Sequence, residues 1–280
     1  MLLRFALSES DPPRAREWNS SAYHRISGPQ FEWGKKVVAR VSLRGDETVL
    51  DAGCGTGRLT ADLLRRLPFG RVVAVDLSRN MVQTARQQLR PELRDRVSTA
   101  VADLQNLPFC GAFDGVFSTA VFHWVPDHDQ LFNSLFAALR RGGWLEAQCG
   151  GGPNLACLRK RMAALSAASP FSAYLSDFDE HWIYSDPDKT ADRLVRAGFQ
   201  DIKTWGEPAP TGFENERQYR EFLATAVLHR RLERLPSVQL RDLFLDKLSE
   251  QAAADNPPFE LDYWRLNLSA KKPSANKPLQ

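Results

Sequence analysis

Val49-Leu50-Asp51-Ala52-Gly53-Cys54-Gly55-Thr56-Gly57 is the stretch on which the fold turns. An apolar run ends in an acid, three alternating glycines follow, and Leu59, Leu63, Leu64 and Leu67 then recur at helical spacing until Pro68. Downstream the rhythm repeats. Arg71 to Asp76 reads as a second strand, near-continuously apolar as a strand covered on both faces would be. Met81, Val82, Ala85 and Leu89 mark a helix, Val97 to Ala102 a third strand and Phe113 to Ala120 a fourth. Leu131 to Leu139 is helical, and Trp144 to Cys149 a fifth strand after Gly142-Gly143. Upstream, residues 29–43 read as a helix with Phe31, Trp33, Val37, Val38 and Val41 on one face. Strands alternating with helices imply a parallel sheet with right-handed crossovers. A ligand is then expected beyond the carboxyl ends of the strands, where strand order reverses.

Two ligands suit a glycine turn between strand and helix, a dinucleotide or S-adenosylmethionine. Glycine lets the backbone turn sharply and approach a ligand closely. The dinucleotide pattern G-x-G-x-x-G requires its third glycine at position 58, which is Arg58; here it arrives one residue early, at Gly57. Asp51 would face a pyrophosphate unfavourably but would welcome an ammonium group. Asp76 lies 76 − 51 = 25 residues beyond Asp51, at the end of the second strand, where an acid can accept both hydroxyls of a ribose. Its bland alternative is a helix cap, for which Ser78 competes. Asp103, at the end of the third strand and followed by Leu104, could accept an adenine amino group or simply stabilise a turn.

The rest of the composition narrows the class. With 43% hydrophobic and 25% charged residues over 280, the chain is expected to be an ordinary soluble globular protein. Lys+Arg of 37 against Asp+Glu of 34 is too balanced for a nucleic-acid binder, and no apolar run suits a membrane span. Cys54, Cys110, Cys149 and Cys157 share no metal-ligand spacing, so reduced thiols in a cytoplasmic protein and no metal are expected. His128, His181 and His229 likewise show no ligand spacing.

Five segments follow. Residues 1–16 read as a flexible N-terminus and 17–152 as the cofactor-binding core. Residues 153–258 read as a helical region covering the substrate, with a sheet strand near 201–205. Residues 259–270 are the last sheet strand, alternating from Leu261 like an antiparallel edge strand, and 271–280 a disordered tail.

The ordered series VLDAGCGTGRLTADLL, VVAVDLS with NMVQTAR, ADLQNLPF, FDGVFSTAVFHWV and LFAALRRGGWL resembles the class I S-adenosylmethionine-dependent methyltransferases, strongly over about residues 20–150. The resemblance implies an α/β, Rossmann-like three-layer sandwich. Its seven-stranded sheet is mostly parallel with an antiparallel last strand, and here it carries a helical insertion. It also implies that Asp51, Gly53, Gly55 and Gly57 line the methionine end of the cofactor and that Asp76 holds its ribose. Leu77 and Met81 would pack near adenine, Asp103 and Leu104 would complete that site, and Ala120 and Val121 would pass near the sulfonium. The chain is similar in particular to trans-aconitate and juvenile hormone acid methyltransferases, through Trp18 to Tyr23, Gln30 and Trp124. The loop after the fourth strand has no Asn-Pro-Pro-Tyr type motif, which argues against amino methylation of nucleic acid or glutamine.

The expected reaction is methyl transfer to a small-molecule acceptor such as a carboxylate. A carboxylate is already ionised and needs no base, only neutral donors to hold it, for which Gln30 and the Trp124 indole are candidates. His123 and His24 are the rival candidates; as a base, either would indicate a phenol, amine or carbon acceptor. A carrier-protein-bound acid is a further alternative, since the arginines between Arg217 and Arg234 could meet an acidic partner. A fold that binds cofactor without turnover and a nicotinamide oxidoreductase also stand as alternatives, the latter disfavoured by Asp51 and Arg58. Phe171, Tyr174, Phe178, Trp182 and Tyr184 could cover an apolar pocket or be ordinary core.

Overall fold

A computed structural model describes residues 17–89 and 91–274. The expectations for 1–16, and for residues 275–280 of the tail, lie outside the described residues; of the tail's first residues, Lys271 ends the last strand and Lys272 Nζ donates to the carbonyls of Phe136 and Leu139. Two helices lead in, α1 (Ser20–Ile26) and α2 (Gly28–Arg40). The alternating body is β1 (Thr48–Ala52), α3 (Arg58–Arg66), β2 (Arg71–Asp76), α4 (Arg79–Gln88), β3 (Val97–Val101), β4 (Phe113–Thr119), α5 (His128–Ala138) and β5 (Leu139–Gly150). Then come α6 (Ala156–Ala167), the single turn α7 (Ser172–Leu175), α8 (Pro187–Arg196), β6 (Gln200–Pro208) and β7 (Thr211–Gly212). The chain closes with α9 (Glu216–Phe222), α10 (His229–Arg234), α11 (Val238–Ala253), β8 (Glu260–Leu261) and β9 (Trp264–Lys271).

Seven strands form one sheet in the order β3-β2-β1-β4-β5-β9-β6. β1 pairs parallel with both β2 and β4, so the strand order reverses there and opens a crevice at their carboxyl ends. β9 runs antiparallel to β5 and to β6, the mostly parallel sheet with one reversed strand that the sequence implied. Alternation sorts side chains to the two faces. Val49 and Val72 join Leu63, Leu64 and Ala85 on one face, while Leu50, Ala52 and Val75 meet Leu131, Phe132 and Leu135 on the other. A further core of Leu158, Met162, Phe222, Phe244 and Leu248 binds the later helices together.

The helix starts are chemically specified. Ser78 accepts a hydrogen bond from the Met81 N–H, Asp127 from Gln130, Asp186 from Lys189 behind Pro187, and Ser237 from Leu240.

One expectation is corrected. The last strand is not an edge strand; β9 is inserted between β5 and β6, and β6 forms the edge. Its consecutive residues Arg265, Leu266, Asn267 and Leu268 are all buried, because helices cover both faces. The segment 215–255 is also broken, with a π-helical turn over Leu223–Val227 between α9 and α10. Of the five aromatics in question, Phe171 packs in the core against Phe244 and Tyr174 is exposed. Phe178 packs under Arg231, and Trp182 and Tyr184 line a cavity described below.

Candidate active site

The glycine loop leaves β1 at Ala52 and enters α3 at Arg58. Two of its glycines are required by the geometry. Gly53 has φ +86°, and a Cβ there would stand 2.1 Å from Val121 Cγ2. Gly57, φ +82°, is the residue before α3, and a Cβ added there would stand 3.1 Å from Ala85 Cβ of α4. The one-residue shift from the dinucleotide spacing therefore puts the helix-packing glycine at 57. The position of Gly55 faces open space, and its N–H donates to Asp76 Oδ2 at 2.9 Å.

Three acids stand at three strand ends in different states. Asp51 is 2% exposed and accepts from Thr60 Oγ1 at 2.6 Å. Burial pushes its carboxyl up to about 7; the Thr60 bond opposes this and the charge of Asp76 adds to it. Asp76 accepts backbone N–H bonds from Gly55 and Ser78, both at 2.9 Å, and so ties the loop to the start of α4. Burial raises its carboxyl, against the pull of those bonds, and Glu17 raises it further. It is not the α4 cap; Ser78 is. Asp103 accepts from the Gln105 N–H at 2.9 Å and caps a short turn over Leu104–Asn106.

Glu17 is a residue the sequence reading did not single out. Its carboxylate accepts from Ser78 Oγ, from the Arg79 N–H and from the Asn80 N–H, pinning the lead-in segment onto α4. No motif signals it; the contact spans more than sixty positions of sequence.

Three connected spaces surround the loop. An outer cleft runs past Asp76, Leu77, Met81, Asp103 and Leu104. A recess holds Asp51, Gly53, Gly55 and Gln30. A third, inner cavity is lined by Gln30, His123, Trp124, Trp182 and Arg265. Tyr23 and Ala120 line all three, and Trp124 lines the cleft and the inner cavity. Ala120, just past β4, holds φ +58°, a conformation that L side chains rarely adopt and that marks strain at a junction. So most of the residues expected from the sequence converge: the three acids, Gly53 and Gly55 on the outer spaces, and Gln30, His123 and Trp124 on the inner one, while Gly57 lines none of the three and faces Ala85 instead.

These walls fit the proposed cofactor. Asp51 is a buried acid in a recess, able to meet an ammonium group. Asp76 keeps lone pairs beside the cleft after its two backbone bonds. Leu77, Met81 and Leu104 give an apolar slot beside Asp103.

His24 and His123 differ from what a base requires. His24 Nδ1 bonds Thr56 Oγ1 at 2.9 Å, and burial first, then Arg58, lowers its proton affinity. His123 is buried, and its Nδ1 accepts the Gly150 N–H at 3.2 Å. Among the described residues, no group of three or more His, Cys, Asp or Glu side chains could hold a metal ion, and no helix is long and apolar enough to cross a membrane.

Arg265, on β9, is the main residue missed. It is 3% exposed and lines the inner cavity. The available signal was an arginine on the same strand face as Asn267, inside a strand otherwise rich in leucine.

Comparison with known proteins agrees with this geometry. Residues 49–143 match the family described as a methyltransferase domain. A trans-aconitate 2-methyltransferase of Variovorax paradoxus is 38% identical over 135 residues, covering 47% of this chain and 49% of that protein. Its counterpart in Methylobacterium radiotolerans is 33% identical over 162 residues, covering 58% of this chain and 60% of that one. The chain thus spans about half the length of the curated relatives it matches. A Haemonchus contortus phosphoethanolamine N-methyltransferase 2 structure superposes with TM-score 0.60 at 21% identity, over 91% of this chain and 57% of that one. At that identity the likeness speaks for the fold alone.

Proposed function

We propose that this chain, which carries a methyltransferase domain over residues 49–143 within a class I methyltransferase fold, is an S-adenosylmethionine-dependent methyltransferase that esterifies a carboxylate of a small molecule. The observation that carries the reading is the convergence at Ala120. A cleft bearing Asp76 and Asp103, a recess bearing Asp51 and an inner aromatic cavity all meet at that one residue. The trans-aconitate methyltransferases it resembles supply the acceptor class.

The cofactor, when bound, supplies an electrophilic methyl group on a sulfonium whose leaving form is a neutral thioether. Every other requirement falls on this chain. Asp51 neutralises an ammonium group in the recess, and Asp76 accepts ribose hydroxyls while holding the loop through Gly55. Leu77, Met81 and Leu104 exclude water from a flat base whose amino group Asp103 accepts. The acceptor oxygen attacks with its own lone pair, so no proton need move, and Gln30 and Trp124 hold it in line. Placement of that kind is worth about 7–11 kcal/mol of barrier.

A carrier-protein substrate receives less support. Arg220 is engaged by Glu216, Asp242 and Asp246, Arg231 by Glu180 and Arg234 by Asp177, so much of that basic stretch neutralises itself.

Calorimetric titration tests the cofactor reading. S-adenosylhomocysteine is expected to bind in the micromolar range, about −8 kcal/mol, and NAD not at all. Saturable NAD binding without a response to S-adenosylhomocysteine would overturn it.

A further inference from the structure

Three buried polar atoms without a hydrogen-bond partner belong to residues lining the same inner cavity: Arg265 Nη2, Trp182 Nε1 and Gln30 Oε1. Buried polar groups are ordinarily satisfied, so such a cluster calls for an occupant. Two of the three are donors, and the Gln30 amide can turn its nitrogen inward.

The charge balance says what the occupant is. Arg265 carries the cavity's positive charge, and none of the lining residues is an acid. Its Nε donates to Gln148 Oε1 at 3.4 Å, and Gln148 in turn donates to Asn267 at 2.9 Å. The nearby carboxylates are used elsewhere, Glu146 by Arg40 at 2.7 Å and Glu207 by Asn267 at 3.0 Å. The groups acting electrostatically on Arg265 are the Cys149 thiol and the phenols of Tyr263, Tyr184 and Tyr23. Burial pushes the proton affinities of all four up, so they are neutral around pH 7. Among the described residues, the guanidinium, 4.4 Å from the Trp33 ring centroid, is therefore buried without a counter-ion. A buried, unpaired charge is strongly unfavourable for the folded state and is retained where a ligand completes it.

The reaction decides which part of the ligand that is. A carboxylate loses its charge as it is methylated, so a guanidinium on the reacting group would favour the ground state over the transition state. A group that stays charged throughout suffers no such loss. We propose that Arg265 anchors an acid group of the acceptor that the reaction leaves unmodified, which makes the preferred substrate a small dicarboxylate and the product a half-ester. This rests on the carboxylate reading above and narrows it. Trp182 completes the anion site, and Gln30 and Trp124, toward Ala120, face the carboxylate that reacts.

The test uses the full chain, matched pairs of small diacids and monoacids, and the Arg265→Gln and Arg265→Met variants. The wild type is expected to methylate diacids with a KM at least tenfold below that of the matched monoacids. Arg265→Gln is expected to raise the diacid KM about 10–100-fold, the loss that goes with a charge-assisted hydrogen bond, with kcat within about threefold. The diacid preference should vanish in the variant. Its S-adenosylhomocysteine affinity should stay within about twofold, because Arg265 does not line the cofactor cleft.

Two readouts need no turnover. Removing an unpaired buried charge should leave the ligand-free melting temperature unchanged or raised, whereas loss of a structural arginine lowers it. Diacids should also quench tryptophan fluorescence in the wild type and not in Arg265→Gln, since Trp18, Trp33, Trp124 and Trp182 line the cavity. Equal use of monoacids and diacids overturns the inference, as does a diacid preference that survives Arg265→Gln, or a diacid that binds neither the free protein nor its S-adenosylhomocysteine complex. Failure of S-adenosylhomocysteine to bind, with arginine-dependent diacid quenching intact, overturns the cofactor reading and leaves the anion site standing.

Discussion

Gly150 donates its backbone N–H to Nδ1 of His123 over 3.2 Å. In a neutral imidazole the accepting nitrogen carries no proton, so the proton sits on Nε2. His123 therefore offers a donor to its surroundings, where general-base catalysis would need an acceptor.

The first consequence is kinetic. kcat is expected to be flat from about pH 6 to pH 9, because an ionised acceptor needs no base. His123→Ala should lower kcat by less than about tenfold and leave the profile flat. An acid limb near the ordinary histidine range, abolished in His123→Ala, would point instead to a phenol, amine or carbon acceptor.

Asp51 should make cofactor binding depend on pH. Burial raises its carboxyl to about 7 in the ligand-free protein, and an ammonium group binds the ionised form. S-adenosylhomocysteine affinity should fall as pH drops below about 7 and level off above it. In the unfolded chain the same group releases its proton near pH ~4. Between those values the folded state holds the extra proton, so this group's contribution to stability declines as pH rises from about 4 to 7. Asp51→Asn should remove both dependences and weaken binding at pH 8. Calorimetry and melting curves across pH 5–8 check the two effects separately.

Trp124 borders both the cleft and the inner cavity, so its ring and its N–H can be separated. Trp124→Phe keeps most of the apolar area and deletes the donor. Transfer should slow about tenfold as the acceptor oxygen loses its alignment with the methyl group, with S-adenosylhomocysteine affinity within about twofold. Equal losses in both quantities would make Trp124 a packing residue.

Gly53 tests the loop geometry. With φ +86° and Val121 Cγ2 2.1 Å from an added Cβ, Gly53→Ala should destabilise by about 1–3 kcal/mol and lower the melting temperature. Val121→Ala in the same chain should recover part of the loss by making room. A Gly53→Ala protein that melts like the wild type would mean that the loop and Val121 are not so closely packed.

What the sequence made legible was whatever is encoded locally. The run from Val49 to Gly57 fixed strand, turn and helix, because glycine spacing and leucine periodicity act over a few residues. Ser78 as the cap of α4 was likewise foreseeable from its place before Met81. Strand order was not. The alternation in β9 says that one face differs from the other, and only long-range pairing with β5 and β6 places it inside the sheet. The same limit hid Arg265. Its meaning depends on which acids are absent around it, a property of residues 148, 184 and 263 brought together by the fold. Glu17 was hidden for a similar reason, since its partners at 78–80 lie on another element.

The most direct measurement follows the methyl group itself. The protein is incubated with methyl-tritiated S-adenosylmethionine and a panel of small diacids, then treated with mild alkali, which cleaves methyl esters and releases methanol. Volatile tritium that depends on the diacid and disappears in Trp124→Phe with Gln30→Ala is the result expected of carboxylate methylation. Label that stays with the acceptor through alkali, or no transfer to any acid while S-adenosylhomocysteine binds, would contradict it.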